Sequence, residues 1–163
     1  MRYLTVDELI YINEQLPSEE AIHTIVDGKR KVRDIGLLEA AAARPMSSVF
    51  GEDAYPTVEE KAAALLHSIT RNHPFADGNK RTATIALILM LAVNGRRVIW
   101  QQAEALQQIV DTAEGKLDAS ALAAWLPTEA CEAQPQPDAA RDMATIAQIM
   151  DEQRWLLEQL AER

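Results

Sequence analysis

Thr82-Ala83-Thr84-Ile85-Ala86-Leu87-Ile88-Leu89-Met90-Leu91-Ala92-Val93-Asn94 is apolar almost all round when wound at helical period. A helix without a polar face belongs at the centre of a bundle, not on its surface. Gly95, following Asn94, suits the left-handed conformation that ends such a helix. The longest unbroken apolar run, Ile85 to Val93, is nine residues, too short to span a bilayer.

The rest of the chain supplies amphipathic partners for that helix. Thr5-Val6-Asp7-Glu8 has the spacing of a capping box and opens a helix over about 6–16, with Leu9, Ile12 and Leu16 on one face. A run of helix formers from Gly36 to Arg44 stops at Pro45, and Gly51 to Pro56 reads as loop. Thr57-Val58-Glu59-Glu60 repeats the capping-box spacing before a helix over 58–72. Val98-Ile99-Trp100 is a short strand or turn, and helices are expected at about 102–114 and from Asp118 to Leu126. Asp27-Gly28, between Ile22–Val26 and Lys29–Val32, carries the signal of a two-residue hairpin. An ordinary solvated loop is the competing reading there. The fold expected is all-α: a compact helical bundle around a central buried helix, with a small β-hairpin flap.

Beyond residue 126 the composition changes. Pro127, Pro135 and Pro137 mark 127–137 as an extended linker, and Asp138 can cap a last amphipathic helix over 138–163. Met143, Ile146, Met150, Leu157 and Leu160 form its seam, interrupted by Gln153 and widened by Trp155 and Leu156. That face must bury itself on its own core, on a second copy or on another protein, so self-association through 138–163 is one expectation. Residues 1–126 carry a net charge of −4 and 127–163 a net −5, within a total of −9. This balance argues against general binding to nucleic acid. Asp7 and Glu8 break any secretory signal, and the single cysteine, Cys131, calls for no oxidising compartment. A cytoplasmic location without a membrane partner is expected. His23 and His67 have no partner visible in the sequence, no zinc-site spacing occurs, and Trp100, Trp125 and Trp155 read as packing anchors.

The chemistry is concentrated between the helices at 58–72 and 82–94, in His73-Pro74-Phe75-Ala76-Asp77-Gly78-Asn79-Lys80-Arg81. The first amides of the following helix, with its dipole behind them, form an anion site. Gly78 lets the backbone approach a phosphate, and Gly78-Asn79 can form a nest of N–H groups. Lys80 and Arg81 add a point charge and a planar fork for phosphate oxygens. Asp77 suits a magnesium ion that shares it with phosphate and water. His73 is the residue suited to taking a proton from a hydroxyl near neutral pH. Phe75 is expected to anchor the loop in the core. Together these residues describe group transfer from a nucleotide to a hydroxyl. For any single residue a plain polar turn explains as much; the whole ordered string weighs against that.

The string His-Pro-Phe-x-Asp-Gly-Asn-Lys-Arg resembles the signature of the Fic/Doc superfamily, and Lys80 resembles the Doc (death-on-curing) toxin branch. Arg2 to Glu8, Gly36 to Ala41 and Asn94-Gly95 extend the likeness over residues 1–126. The resemblance implies a Fic-type helical bundle with His73 as catalytic base, Asp77 as magnesium ligand, and Gly78, Asn79, Lys80 and Arg81 on the phosphates. The adenylylating pattern has glycine at position 80 and a second arginine at position 84, where this chain has Lys80 and Thr84. The Doc branch implies a kinase using ATP and Mg²⁺ on elongation factor Tu, halting translation, held off by a separate antitoxin. Adenylyl transfer is the alternative, and a non-catalytic antitoxin-binding module a second one. The helix over 138–163 lies outside the resemblance.

Overall fold

In the structure, a computed structural model, residues 1–17 and 31–163 are described. The hairpin expected around Asp27-Gly28 lies outside them. The all-α architecture is as expected, built from α1 (Val6–Gln15), α2 (Ile35–Ala43), α3 (Val58–Asn72), α4 (Asn79–Val93), α5 (Gln102–Ala113), α6 (Ala119–Trp125), α7 (Ala139–Glu152) and α8 (Arg154–Ala161). The strands are β1 (Ser48–Val49), β2 (Glu52–Asp53), β3 (Arg96–Val98) and β4 (Thr128–Ala130).

The apolar stretch that organises the sequence is α4, and every residue of it except Lys80 and Ala92 is buried. It packs against α1, α3, α5, α7 and α8. Ile85, Leu87, Leu89, Met90 and Leu91 are each fully excluded from solvent, each stabilising by on the order of 1.5–3 kcal/mol. Helix starts are set by local chemistry. The Thr5 hydroxyl accepts from Glu8 N–H while Glu8 reaches back to the Thr5 N–H, a complete capping box. Thr57 caps α3 through the Glu60 N–H, but the Glu60 carboxylate takes the Thr57 hydroxyl.

Two details differ from the sequence reading. Gly51 to Pro56 does not begin as irregular loop: β1 and β2 pair antiparallel, Ser48 with Asp53 and Val49 with Glu52. Phe50 and Gly51 turn the chain at positive φ, and Asp53 ion-pairs with the buried ammonium of Lys61 at 3.3 Å. The final helix is also not continuous. It breaks at Gln153 into α7 and α8. One side chain explains the break: Gln102 donates to the Glu152 carbonyl at 3.0 Å and accepts from the Leu156 amide at 2.9 Å. Gln153 is itself buried and accepts from the Trp100 indole at 3.0 Å.

The chain between α6 and α7 runs against the body. β4 pairs antiparallel with β3, and the Cys131 and Gln134 amides reach the Gly95 and Val93 carbonyls. Arg2 then ties the two ends together. Its guanidinium meets Asp142 of α7 at 2.6 Å and Glu8 at 3.0 Å, while its backbone is held on both sides by Asn94. Ile146, Ile149, Leu156, Leu157 and Leu160 join the common core, so most of the C-terminal seam packs on its own chain, with Met150 only partly buried. Met143 and Trp155 are left exposed; Trp100 and Trp125 stack with ring centroids 6.0 Å apart. Among the described residues no helix is long and apolar enough to cross a membrane.

Candidate active site

The loop joining α3 to α4 is held by its own side chains. His73 ends α3 in the left-handed region, φ 50° and ψ 59°. Phe75, 1% exposed, plugs the loop into the core. Asn79 turns inward: its Oδ1 accepts from the Phe75 amide at 3.0 Å and its Nδ2 donates to the Phe75 carbonyl at 2.9 Å. This closes the loop as a short ring. Asn79 therefore presents backbone, not side chain, to anything bound in front of it.

Gly78 is the N-cap of α4 at φ 76°, and a Cβ there would lie 2.8 Å from Leu16 Cδ1. The backbone conformation calls for glycine, and an added Cβ would also push the Leu16 side chain aside. Thr5, Asp34, Thr57, Asp118 and Asp138 cap their helices with a side chain, whereas Gly78 has none to offer. The first-turn amides of α4 remain available to an anion, with the dipole behind them.

Two elements brace this loop from outside. On one side Val32 bridges Phe75, the Arg33 amide donates to the Pro74 carbonyl at 2.8 Å, and the Ala76 amide donates to the Lys31 carbonyl. Arg33 also caps α3, its guanidinium donating to the His73 and Asn72 carbonyls at 2.7 and 2.8 Å. On the other side Asn13 of α1, fully buried, donates to the Asp77 carbonyl at 2.9 Å and to the Thr82 hydroxyl at 3.0 Å.

His73, Asp77, Gly78, Asn79, Lys80 and Arg81 line one cavity of about 230 Å³. Leu160, Ala161 and Arg163 from the end of α8 form another wall of it. The Asp77 carboxylate, 44% exposed, accepts from the Arg81 guanidinium at 3.3 Å. Arg81 is otherwise buried and donates to the Pro17 carbonyl at 2.8 Å. Lys80 reaches the Arg163 carbonyl at 3.4 Å. Partial desolvation, then the charges of Lys80, Arg33 and Arg71, hold the His73 pKa below the ordinary histidine value. These surroundings favour the neutral imidazole, the form able to accept a proton.

A family model described as "Fic/DOC family" matches residues 3–91, more than half of the chain. The chain belongs to the Fic/DOC family. It is also 49% identical over 98 residues to a protein named Toxin Doc from Mycolicibacterium smegmatis, an alignment covering 58% of this chain and 75% of that one.

Within this Fic/DOC domain the seven motif residues named from sequence lie on the loop and the first turn of α4, with Phe75 inside and six around the cavity. Three contributors were not recognised from sequence. Asn13 sits on the apolar face of α1 between Leu9, Ile12 and Leu16, and a polar residue at such a position is the signal that it has a buried partner. Arg33 followed an ambiguous strand and had no local partner to betray it. The α8 residues are more than 75 positions from the motif, beyond any local pattern, and lie outside the family match. Among the described residues no group of three or more His, Cys, Asp or Glu stands ready to hold a metal alone.

Proposed function

We propose that this protein is a Doc-like toxin of a toxin–antitoxin system, a protein kinase that transfers the γ-phosphate of ATP to a Ser or Thr hydroxyl of a translation factor. The elongation factor Tu class is the proposed target, translation arrest the outcome, and a separate antitoxin the restraint. The observation carrying this reading is the shared cavity, in which a neutral imidazole, a carboxylate, two cations and the uncapped start of α4 meet. The relative named Toxin Doc supports the biological setting.

In the proposed reaction the γ-phosphate lies against the α4 amides and Lys80. His73 takes the proton of the target hydroxyl, whose oxygen attacks phosphorus as the bond to the departing ADP breaks. Asp77, oriented by Arg81 and by the Asn13 contact to its carbonyl, suits a Mg²⁺ ion completed by phosphate and water oxygens. Bound there, the ion would neutralise phosphate charge. The backbone at Lys31–Arg33, bridged to the loop through Val32 and Phe75, is the segment proposed to meet the target.

Thr84 favours phosphate over AMP transfer. Where the adenylylating pattern has a second arginine, Thr84 is fully buried and its hydroxyl donates to the Lys80 carbonyl at 2.7 Å. The test is incubation with elongation factor Tu and ATP labelled at either the γ- or the α-phosphate. Label from γ alone, abolished by His73→Ala, is expected. Label from α would make the protein an adenylyltransferase, and unchanged killing by His73→Ala would leave a non-catalytic antitoxin-binding module.

A further inference from the structure

The cavity at the motif loop, about 230 Å³, lies below the about 300–1,000 Å³ of pockets that enclose a whole small-molecule ligand. It has room for phosphates. A nucleotide held there by its phosphates must place its base and ribose elsewhere, and the described residues line an adjoining space of suitable size. A groove of about 680 Å³ runs between α1 and the α7–α8 pair. Arg81 and Ala161 line both spaces, so the two are neighbours across a single residue of α4 and a single residue of α8.

The chemistry of the groove differs from that of the loop. Tyr11, Leu16, Met143, Ile146, Met150 and Leu157 make it largely apolar. An aromatic ring and two unbranched thioethers are adaptable surfaces for a flat heteroaromatic ring. Asp151, Arg154 and Glu158 stand at the same groove; Asp151 accepts from the Arg154 guanidinium at 2.7 Å, and the remaining carboxylate oxygens offer acceptors for hydroxyl or amino hydrogens. An apolar slot with acidic acceptors, opening onto a phosphate cavity through a buried arginine, matches the nucleoside half of a nucleotide.

On the basis of the nucleotide reading above, we infer that this groove is the nucleoside subsite, and that α7 and α8 build it. The appended helices, outside the family match at 3–91, then complete the nucleotide site rather than only capping the core. They contribute walls to both halves: Leu160, Ala161 and Arg163 to the phosphates, Met143 and Met150 to the base.

The experiment is calorimetric titration of the intact protein with MgATP and, separately, with magnesium tripolyphosphate, which has no nucleoside. Ala147 lines the groove and is exposed, so Ala147→Trp fills the space without entering the core. Met143→Trp, also at a solvent-open position of the groove, is an independent second variant. Expected is a loss of about tenfold or more in MgATP affinity, the scale of one displaced apolar contact set, with tripolyphosphate binding unchanged. Equal affinity for MgATP in the wild type and both variants would overturn the subsite while leaving the phosphate reading intact. Loss of antitoxin neutralisation with unchanged MgATP binding would also overturn it, making the groove a protein-docking surface. Failure of the wild type to bind either ligand would overturn the nucleotide reading and this inference with it.

Discussion

His73 occupies a left-handed backbone conformation that costs a non-glycine residue on the order of 1 kcal/mol, and the fold holds it there through Arg33, Phe75 and the α3 hydrogen bonds. The result is an imidazole at the cavity edge surrounded by cations. Burial and the charges of Lys80, Arg33 and Arg71 disfavour its protonated form. The acid limb of the transfer rate should therefore fall below the ~6.5 of an unperturbed histidine. A pH–rate profile with its acid limb at or above that value would refute the assignment. Lys80→Gln should move the limb upward, by removing a like charge, even as it weakens phosphate binding.

At the scale of elements, the decisive contact joins the first residues of the chain to α7. Arg2 is 6% exposed and lies between Asp142 and Glu8. Burial alone would raise the Asp142 pKa, but hydrogen bonds from Arg2 and the Asp138 amide, with the Arg2 and Arg141 charges, hold it below the usual carboxylate value. Asp142→Ala leaves a buried guanidinium with only Glu8 and the Gln134 carbonyl, which should destabilise the fold by about 3 kcal/mol in urea unfolding. A loss below about 1 kcal/mol would show that Glu8 and Gln134 satisfy Arg2 without Asp142. The same lock ties α7 to the start of the chain, and α8 is seated by Leu156, Leu157 and Leu160, so the wall they give the candidate site is held by contacts far from the motif.

Stability of the whole molecule should depend on pH through His67. Arg44 lies 2.7 Å from His67 Nδ1 and can only donate, so that nitrogen must be an acceptor and the ring neutral. Burial, then Arg44 and Arg71, lower the His67 pKa, with Asp118 opposing. Below about pH 6.5 the unfolded chain takes up the proton more readily than the folded one, so stability declines as pH falls through that value. The thermal midpoint should drop between pH 7.5 and 5.5, and His67→Gln should shrink that drop. At lower pH, Asp142 and Glu59, both held below their ordinary values, contribute stability that is lost as they protonate.

Much of this was written in local chemistry. Caps, helical periodicity and the apolar run at 85–93 determined the bundle and its centre, because each is satisfied within a few residues along the chain. The string from His73 to Arg81 carried the family and the residues that line the candidate cavity for the same reason: they are neighbours along the chain. The hairpin at Phe50-Gly51 escaped notice because two-residue strands carry no alternation to read. The break at Gln153 depends on Gln102, about fifty residues earlier, while α8 is held at the cavity by Leu156, Leu157 and Leu160 in the common core and α7 by Arg2 meeting Asp142. Such long-range hydrogen bonds and ion pairs leave no periodic trace, so only the tertiary structure decided what stands beside the loop.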